Sequence, residues 1–169
     1  DAYLKLNNVN AAITAYSLGR WNSTAPTDTV FTVGDDGGTN GNGYGEYVAY
    51  LFAHDPDGEN DDGMIACGSV TLSGMTSVSL GWEAQYVLCK PTSAGNWVIF
   101  DNMRGVVTGG EDAQLKPNLS SAEVVDGERA EFNSDGFSLI GSELGNTEYI
   151  YMAIRAPMMK EPESGSEVF

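Results

Sequence analysis

The feature that most constrains the fold is the alternation of short apolar runs with turn-forming residues. Gly is frequent, with 21 residues among 169, and Asn, Asp, Ser and Thr fill most of the gaps between the runs. No long segment spaces its apolar residues with the 3.6-residue period of an amphipathic helix. Turn-bounded runs rich in Val, Ile, Tyr and Phe are typical of half-buried β-strands. The sequence therefore predicts an all-β fold, an antiparallel β-sandwich or jelly-roll-like arrangement.

Strands are predicted wherever such a run is bounded by turn residues. These strands are Tyr3–Leu6, Thr29–Val33, Glu46–Ala53, Ile65–Leu72, Ser77–Leu80, Gln85–Lys90, Trp97–Asp101, Gly136–Ile140 and Glu148–Arg155.

An internal repeat indicates how these strands are organised. Residues 2–23 align with residues 113–134 without a gap, and Tyr47–Tyr50 aligns with Tyr149–Met152 after shifts in Gly- and Asn-rich loops. Length changes are tolerated in such loops. Repeats of this kind are typical of structural arrays and fibres.

The repeat predicts a division of the chain into four parts. Residues 1–54 form the C-terminal half of a first β repeat, and residues 55–63 form an acidic linker loop. Residues 64–157 form a complete second repeat, and residues 158–169 an extended C-terminal arm or linker. On this interpretation, the chain is a piece of a longer protein, in which the first half-repeat completes a sheet begun before residue 1. Because such a sheet would have uncovered edges, we expect Tyr3–Leu6 or the arm after Pro157 to contact another chain.

The charge balance excludes several classes of partner. The 24 acidic and 8 basic side chains give a formal net charge of −16. Nucleic-acid binding needs a basic face, and so does binding to anionic membrane surfaces. No apolar run has the roughly 18–20 residues that a membrane-spanning helix requires. Two interpretations of the charge stay open: simple solubility, or a protein that works in high salt or binds divalent cations.

The densest acidic cluster is the predicted linker loop, which carries five carboxylates. They belong to Asp55, Asp57, Glu59, Asp61 and Asp62. Hard cations such as Ca²⁺ take six to eight oxygen ligands, so this loop is a candidate calcium site. It is not an EF-hand, because the sixth position from Asp55 is Asn60 and the twelfth is Ala66. The alternative is a solvated linker that binds no ion, and no other cofactor is predicted.

Two aromatic residues are candidates for contact with a ligand or receptor. Tyr44 lies in the Gly-rich loop of residues 35–45, and binding residues concentrate on loops. Trp82 follows Gly81 and precedes Glu83, so we expect it to be half exposed and able to stack on a sugar ring. The alternatives are an ordinary surface hairpin for Tyr44 and core packing for Trp82.

No pattern in the sequence predicts catalysis. There is no Gly-x-Ser-x-Gly nucleophile motif, and a serine triad would have to use the single histidine, His54. With 24 acidic residues, some pair of carboxylates at glycosidase spacing is nearly guaranteed, so such a pair carries no information. Cys67 and Cys89 lie in predicted strands and favour buried thiols, although their number allows one disulfide.

Several runs also carry a family resemblance. They are Trp21–Thr27, Val30–Gly34, Tyr47–Asp55, Gly95–Gly105, Ala153–Pro157 and Glu163–Phe169. Together these runs resemble repeated modules in tail-fibre-like and virion structural proteins of aquatic bacteriophages, including marine and cyanobacterial phages. Cys89, Pro91 and the acidic run at residues 110–112 depart from the family pattern.

The resemblance implies an all-β module located in the virion, with other subunits of the same fibre as partners, commonly as a trimer, and it does not imply a catalytic site. The function predicted is therefore a non-enzymatic structural or adhesive module of a tail fibre or capsid-attached fibre, with a host-surface glycan as a further partner. The alternative is a carbohydrate-binding domain of a secreted protein or, with less support, a glycan-degrading one.

Overall fold

The computed structural model describes residues 2–14, 17–27, 29–41, 43, 45–54 and 63–156. The helices are α1 (Ser17–Trp21) and α2 (Gly141–Leu144). The strands are β1 (Ile65–Thr71), β2 (Met75–Ser79), β3 (Ala84–Pro91), β4 (Val98–Asp101), β5 (Ala113–Gln114), β6 (Val124–Val125), β7 (Ala130–Asn133), β8 (Gly136–Ile140) and β9 (Glu148–Arg155). In these parts of the chain, no helix is long and apolar enough to cross a membrane.

The strands form antiparallel sheets, which confirms the all-β prediction. A four-stranded sheet has the order β1-β9-β3-β4, a three-stranded sheet has the order β2-β8-β7, and β5 pairs with β6. All of these pairings are antiparallel. The C-terminal strand β9 lies at the centre of the larger sheet, with β1 on one side and β3 on the other. The finer sandwich or jelly-roll arrangement stays a prediction.

Both larger sheets contribute to one hydrophobic core. Val87, Phe100 and Ala153 of the four-stranded sheet are fully buried, as are Phe137 and Leu139 of the three-stranded sheet. The rings of Phe137 and Tyr151 meet edge to face, with centroids 5.2 Å apart. Such contacts add about 0.5–1.5 kcal/mol to the area that the rings bury.

The strand predictions hold from residue 65 onward and fail before residue 54. Every strand predicted in the second repeat is present within one or two residues, and β8 and β9 match their predicted bounds. The strands predicted at Tyr3–Leu6, Thr29–Val33 and Glu46–Ala53 are wrong, because none of these residues belongs to a strand. A strand needs a partner for its backbone groups, and the described residues before 54 pair only through one isolated bridge, Tyr3 with Ile13.

The internal repeat is not confirmed by the structure. Residues 113–155 contain β5 to β9, whereas the described part of their counterpart, residues 2–53, contains one short helix and no strand. The predicted equivalence of Tyr47 and Tyr149 therefore rests on the sequence alone.

Candidate functional site

The residues predicted for calcium and one predicted receptor contact cannot be placed. Asp55, Asp57, Glu59, Asp61 and Asp62, like Tyr44, lie outside the described residues. Within the described part of the chain, no group of three or more His, Cys, Asp or Glu side chains is arranged to hold a metal ion.

Trp82 is a core residue, so the prediction of a half-exposed aromatic platform is wrong. Only 4% of Trp82 is exposed, and Leu80 and Ala84 beside it are also buried. The turn at Gly81, whose φ is 77°, separates Trp82 and Ala84 from β2. A positive φ of this size favours glycine. A ring buried in this way has no open face on which a sugar could stack.

The two cysteines are free thiols in different environments. Cys89 on β3 is fully buried, and burial raises its pKa to about 12. Cys67 on β1 is half-buried, and desolvation also raises its pKa. The interpretation of a buried thiol is thus confirmed for Cys89.

A polar groove of about 410 Å³ lies between the loop after β3 and the segment around α2. Its lining includes Pro91, Asn96, Gln114, Lys116, Arg129 and Glu143. The buried Lys90 stabilises the loop after β3, because its Nζ donates hydrogen bonds to the carbonyl oxygens of Gly95 at 3.0 Å and Pro91 at 3.3 Å. Desolvation by burial lowers the pKa of Lys90. The groove offers carboxylate and cationic groups, from Glu143 and Lys116, to a small polar ligand.

The loops beside this groove are organised by one buried carboxylate that the sequence analysis did not identify. Asp112 is fully buried. Its Oδ2 accepts the backbone N–H groups of Arg129 at 2.6 Å and Ala130 at 2.8 Å, and its Oδ1 accepts that of Val107 at 3.2 Å. A carboxylate satisfied by backbone donors in this way is a structural anchor, so the acidic run at residues 110–112 supports the fold.

An unusually long run of exposed apolar side chains lies at residues 47–53, called the apolar segment below. It contains only apolar and aromatic residues, and all seven are exposed. The exposed fractions are 41% for Tyr47, 79% for Val48, 83% for Tyr50, 70% for Leu51 and 54% for Phe52. Contiguous apolar surface of this kind marks an interaction site on a soluble protein.

The apolar segment leads directly to an open sheet edge. β1 is the outermost strand of the four-stranded sheet, and no strand in the described part of the chain pairs with its outer side, the β1 edge. His54, which follows the apolar segment, accepts a hydrogen bond on Nδ1 from the backbone N–H of Cys67 on this edge at 3.1 Å. An open edge is a template for pairing with another strand. Two surfaces that favour β-pairing are therefore adjacent.

The N-terminal residues contact the chain's own second half. Gly95 donates its backbone N–H to the carbonyl of Val9, and Ala12 donates to the carbonyl of Thr92, both at 2.8 Å. The indole Nε1 of Trp97 donates to the carbonyl of Lys5 at 3.0 Å. The region of Tyr3–Leu6, for which a contact with another chain was predicted, is thus held against the loop after β3. The prediction for the arm after Pro157 concerns residues outside the described ranges.

Comparison with known proteins gives one result. Residues 1–157 match the family described as Domain of unknown function (DUF7483), and the chain belongs to that family. No curated protein and no solved structure matches the chain.

Proposed function

We propose that this chain is a non-enzymatic structural and adhesive module of a bacteriophage fibre, which works by joining other subunits of the same virion structure. The observation that carries the proposal is the exposed apolar segment, Tyr47 to Ala53, beside the open β1 edge. Proteins avoid leaving such edges and patches uncovered, so their presence together indicates a module that is completed by another polypeptide.

The charge of the chain is consistent with this role. A net charge of −16 disfavours nonspecific association between copies. Association must then be specific and driven by local apolar burial, and the apolar segment is free of charged side chains. The resemblance of several sequence runs to phage fibre modules supports the same assignment.

Carbohydrate binding is a second candidate function, and the polar groove favours it. Lys116 and Glu143 supply a cationic and a carboxylate group suited to sugar hydroxyls, whereas Gln114 is buried and its amide donates to Asp126. The burial of Trp82 removes the stacking platform that the sequence predicted. In a fibre module the groove would provide the contact with a host-surface glycan, so the two candidates differ in location rather than in chemistry.

Association with virus particles tests the proposal. We expect peptides of this chain to co-sediment with purified virions through a density gradient and to stay with the particle after a salt wash. Recovery only in the soluble culture fraction, away from particles, would contradict the fibre assignment and favour the secreted carbohydrate-binding domain. Glycan binding is tested separately by comparing wild type with Glu143→Gln on immobilised glycans, where the loss of one carboxylate acceptor should weaken a genuine contact.

A further inference from the structure

The apolar segment has the composition of a strand that is buried on both faces. A strand with one face in water alternates apolar and polar residues, whereas residues 47–53 are apolar or aromatic at every position. β9, which is covered by a strand on each side, has a similarly continuous run from Tyr149 to Ile154. The segment therefore has the composition of a strand with both faces covered, and within the described residues it has no strand partner.

The exposed area is large enough for a specific interface. From their exposed fractions, Tyr47, Val48, Tyr50, Leu51 and Phe52 together expose roughly 700 Å², with an aromatic side chain contributing up to about 150–250 Å². A stable interface buries about 800 Å² on each partner. A contact that covered all of these side chains would therefore bury nearly as much area as one side of a stable interface does.

The sequence match to β9 indicates which strand the segment would pair with, and in which register. Tyr47–Tyr50 aligns with Tyr149–Met152. In the structure β9 pairs antiparallel with β1, with Tyr149 opposite Val70 and Met152 opposite Cys67. The same register would place Tyr47 opposite Val70 and Tyr50 opposite Cys67.

The backbone of β1 is oriented to accept a strand on its outer side. Leu72 donates its N–H toward β9, to the carbonyl of Thr147, and the carbonyl of Met64 accepts from Arg155 of β9. Backbone groups of alternate residues point to opposite sides of a strand. The odd-numbered residues of β1 therefore direct their N–H and C=O groups away from β9, as the bond from Cys67 to His54 shows.

We infer that the apolar segment of one chain adds as an antiparallel strand to the β1 edge of a second copy of the same chain. This inference rests on the proposed structural function and names the partner for it. In the structure the backbone N–H of Cys67 donates to His54 of the same chain. While this hydrogen bond is present, the chain's own Tyr50 does not lie opposite Cys67, so its own segment does not take the β9-like register. Pairing with a second copy requires this bond of the accepting chain to open, because the incoming Tyr50 takes the place of His54 at Cys67. The incoming segment is uncharged, so it covers the edge without bringing further negative charge to it.

Association of the full chain is the first measurement. We expect the sedimentation mass to rise with concentration between about 1 and 100 µM, the range in which a weak interface of this size dissociates. Tyr50→Lys and Val48→Lys should each weaken association by at least about tenfold, because they place a charge in a desolvated contact. Met103→Lys is the matched control, since Met103 is 92% exposed and lies outside both surfaces. A wild-type chain that stays monomeric over this range would overturn the inference.

Disulfide trapping tests the register. Opposed residues on antiparallel strands have Cα atoms about 4.5–5.5 Å apart, which fits the Cα separation in disulfides. In Tyr50→Cys, mild oxidation should link the introduced thiol to Cys67 of another chain, giving a covalent dimer or longer chain on a non-reducing gel. Met103→Cys measures random oxidation, and Tyr50→Cys combined with Cys67→Ser should abolish the link.

A link formed within one chain, found by peptide mapping of a monomeric band, would overturn pairing with a second copy. None of these outcomes alters the particle-association result, so failure of this inference is distinguishable from failure of the proposed function.

Discussion

The Oδ2 atom of Asp112 accepts the backbone N–H of Ala130 at 2.8 Å in the fully buried interior. The same oxygen accepts the N–H of Arg129, and Oδ1 accepts that of Val107. One side chain thus connects the loop after β4 to the start of β7. Ala130 begins β7 and pairs with Leu139 of β8, so the carboxylate joins the loop after β4 to a strand of the three-stranded sheet.

Replacing Asp112 should destabilise the fold strongly. In Asp112→Ala three backbone donors lose their acceptor in a buried site, and hydrogen bonds to a charged group contribute about 1.5–3 kcal/mol each, with large non-additivity. We expect the free energy of unfolding to fall by about 3 kcal/mol or more in urea denaturation. Glu111→Gln, at the exposed neighbouring position, is the control and should stay within about 0.5 kcal/mol of wild type. Equal stability of the two variants would show that the carboxylate is not an anchor.

The contrast between β9 and residues 46–53 shows how far sequence reasoning reaches in this chain. Both runs begin with Glu-Tyr and continue with aromatic and aliphatic residues, and this local pattern predicts a strand in both. Glu148–Arg155 is a strand with those bounds, because β1 and β3 lie on either side of it. Residues 46–53 have no strand beside them in the part of the chain that the structure describes, so local pattern predicts the propensity of the segment but not its partner.

Asp112 and Trp82 show the same limit at single residues. The run at residues 110–112 lies between turn residues, and nothing in it distinguishes an exposed acid from one that binds three backbone groups. Trp82 lies between Gly81 and Glu83, a pattern that suits an exposed turn, yet it is buried with Leu80 and Ala84. In both cases the burial is decided by which loops meet in space, and strand periodicity carries no information about that.

The burial of Trp82 predicts a stability effect rather than a binding effect. Trp82→Ala should lower the free energy of unfolding by about 3–5 kcal/mol, the usual cost of deleting a large buried aromatic. Trp21→Phe combined with Trp97→Phe leaves Trp82 as the single tryptophan, and its fluorescence should resist quenching by iodide. Strong quenching in the native state, together with unchanged stability of Trp82→Ala, would contradict the core assignment.

The positions of the two thiols predict unequal reactivity and no internal disulfide. Cys67 lies opposite Met152 on one side of β9, and Cys89 lies opposite Tyr151 on the other side. Two strand spacings separate them, about 9–10 Å, which exceeds the roughly 7 Å limit for Cα atoms in a disulfide.

In the native chain at pH 8 we therefore expect a thiol reagent to modify Cys67 slowly, since its pKa is raised, and to leave Cys89 unmodified. Both thiols should react after unfolding in urea. Cys67→Ser should then show no native reaction at all. Rapid modification of Cys89 in the folded protein, identified by peptide mapping, is the result that this assignment forbids.

The buried hydroxyl of Tyr149 makes alkaline stability testable. Tyr149 is 2% exposed, and its hydroxyl donates to the carbonyl of Leu144 at 2.6 Å. Burial raises its pKa from 10.0 to about 12, with a smaller contribution from the neighbouring Cys89. Because the folded-state pKa is raised, the stabilisation is fully present below pH 10 and is lost as the pH rises from 10 toward 12. In this window the unfolded chain releases a proton that the folded chain keeps.

Tyr149→Phe should therefore flatten the alkaline decline in stability. At pH 7 we expect it to cost about 1 kcal/mol for the lost hydrogen bond. Above pH 10, its free energy of unfolding should fall less steeply than that of wild type, by up to about 1.4 kcal/mol per pH unit for one proton. Urea denaturation at closely spaced pH values between 8 and 11.5 measures both slopes, with Tyr50→Phe as the control because its ring is exposed in the folded chain. Parallel curves for Tyr149→Phe and wild type would mean that Tyr149 ionises as readily in the folded chain as in the unfolded one, which its burial against Leu144 does not allow.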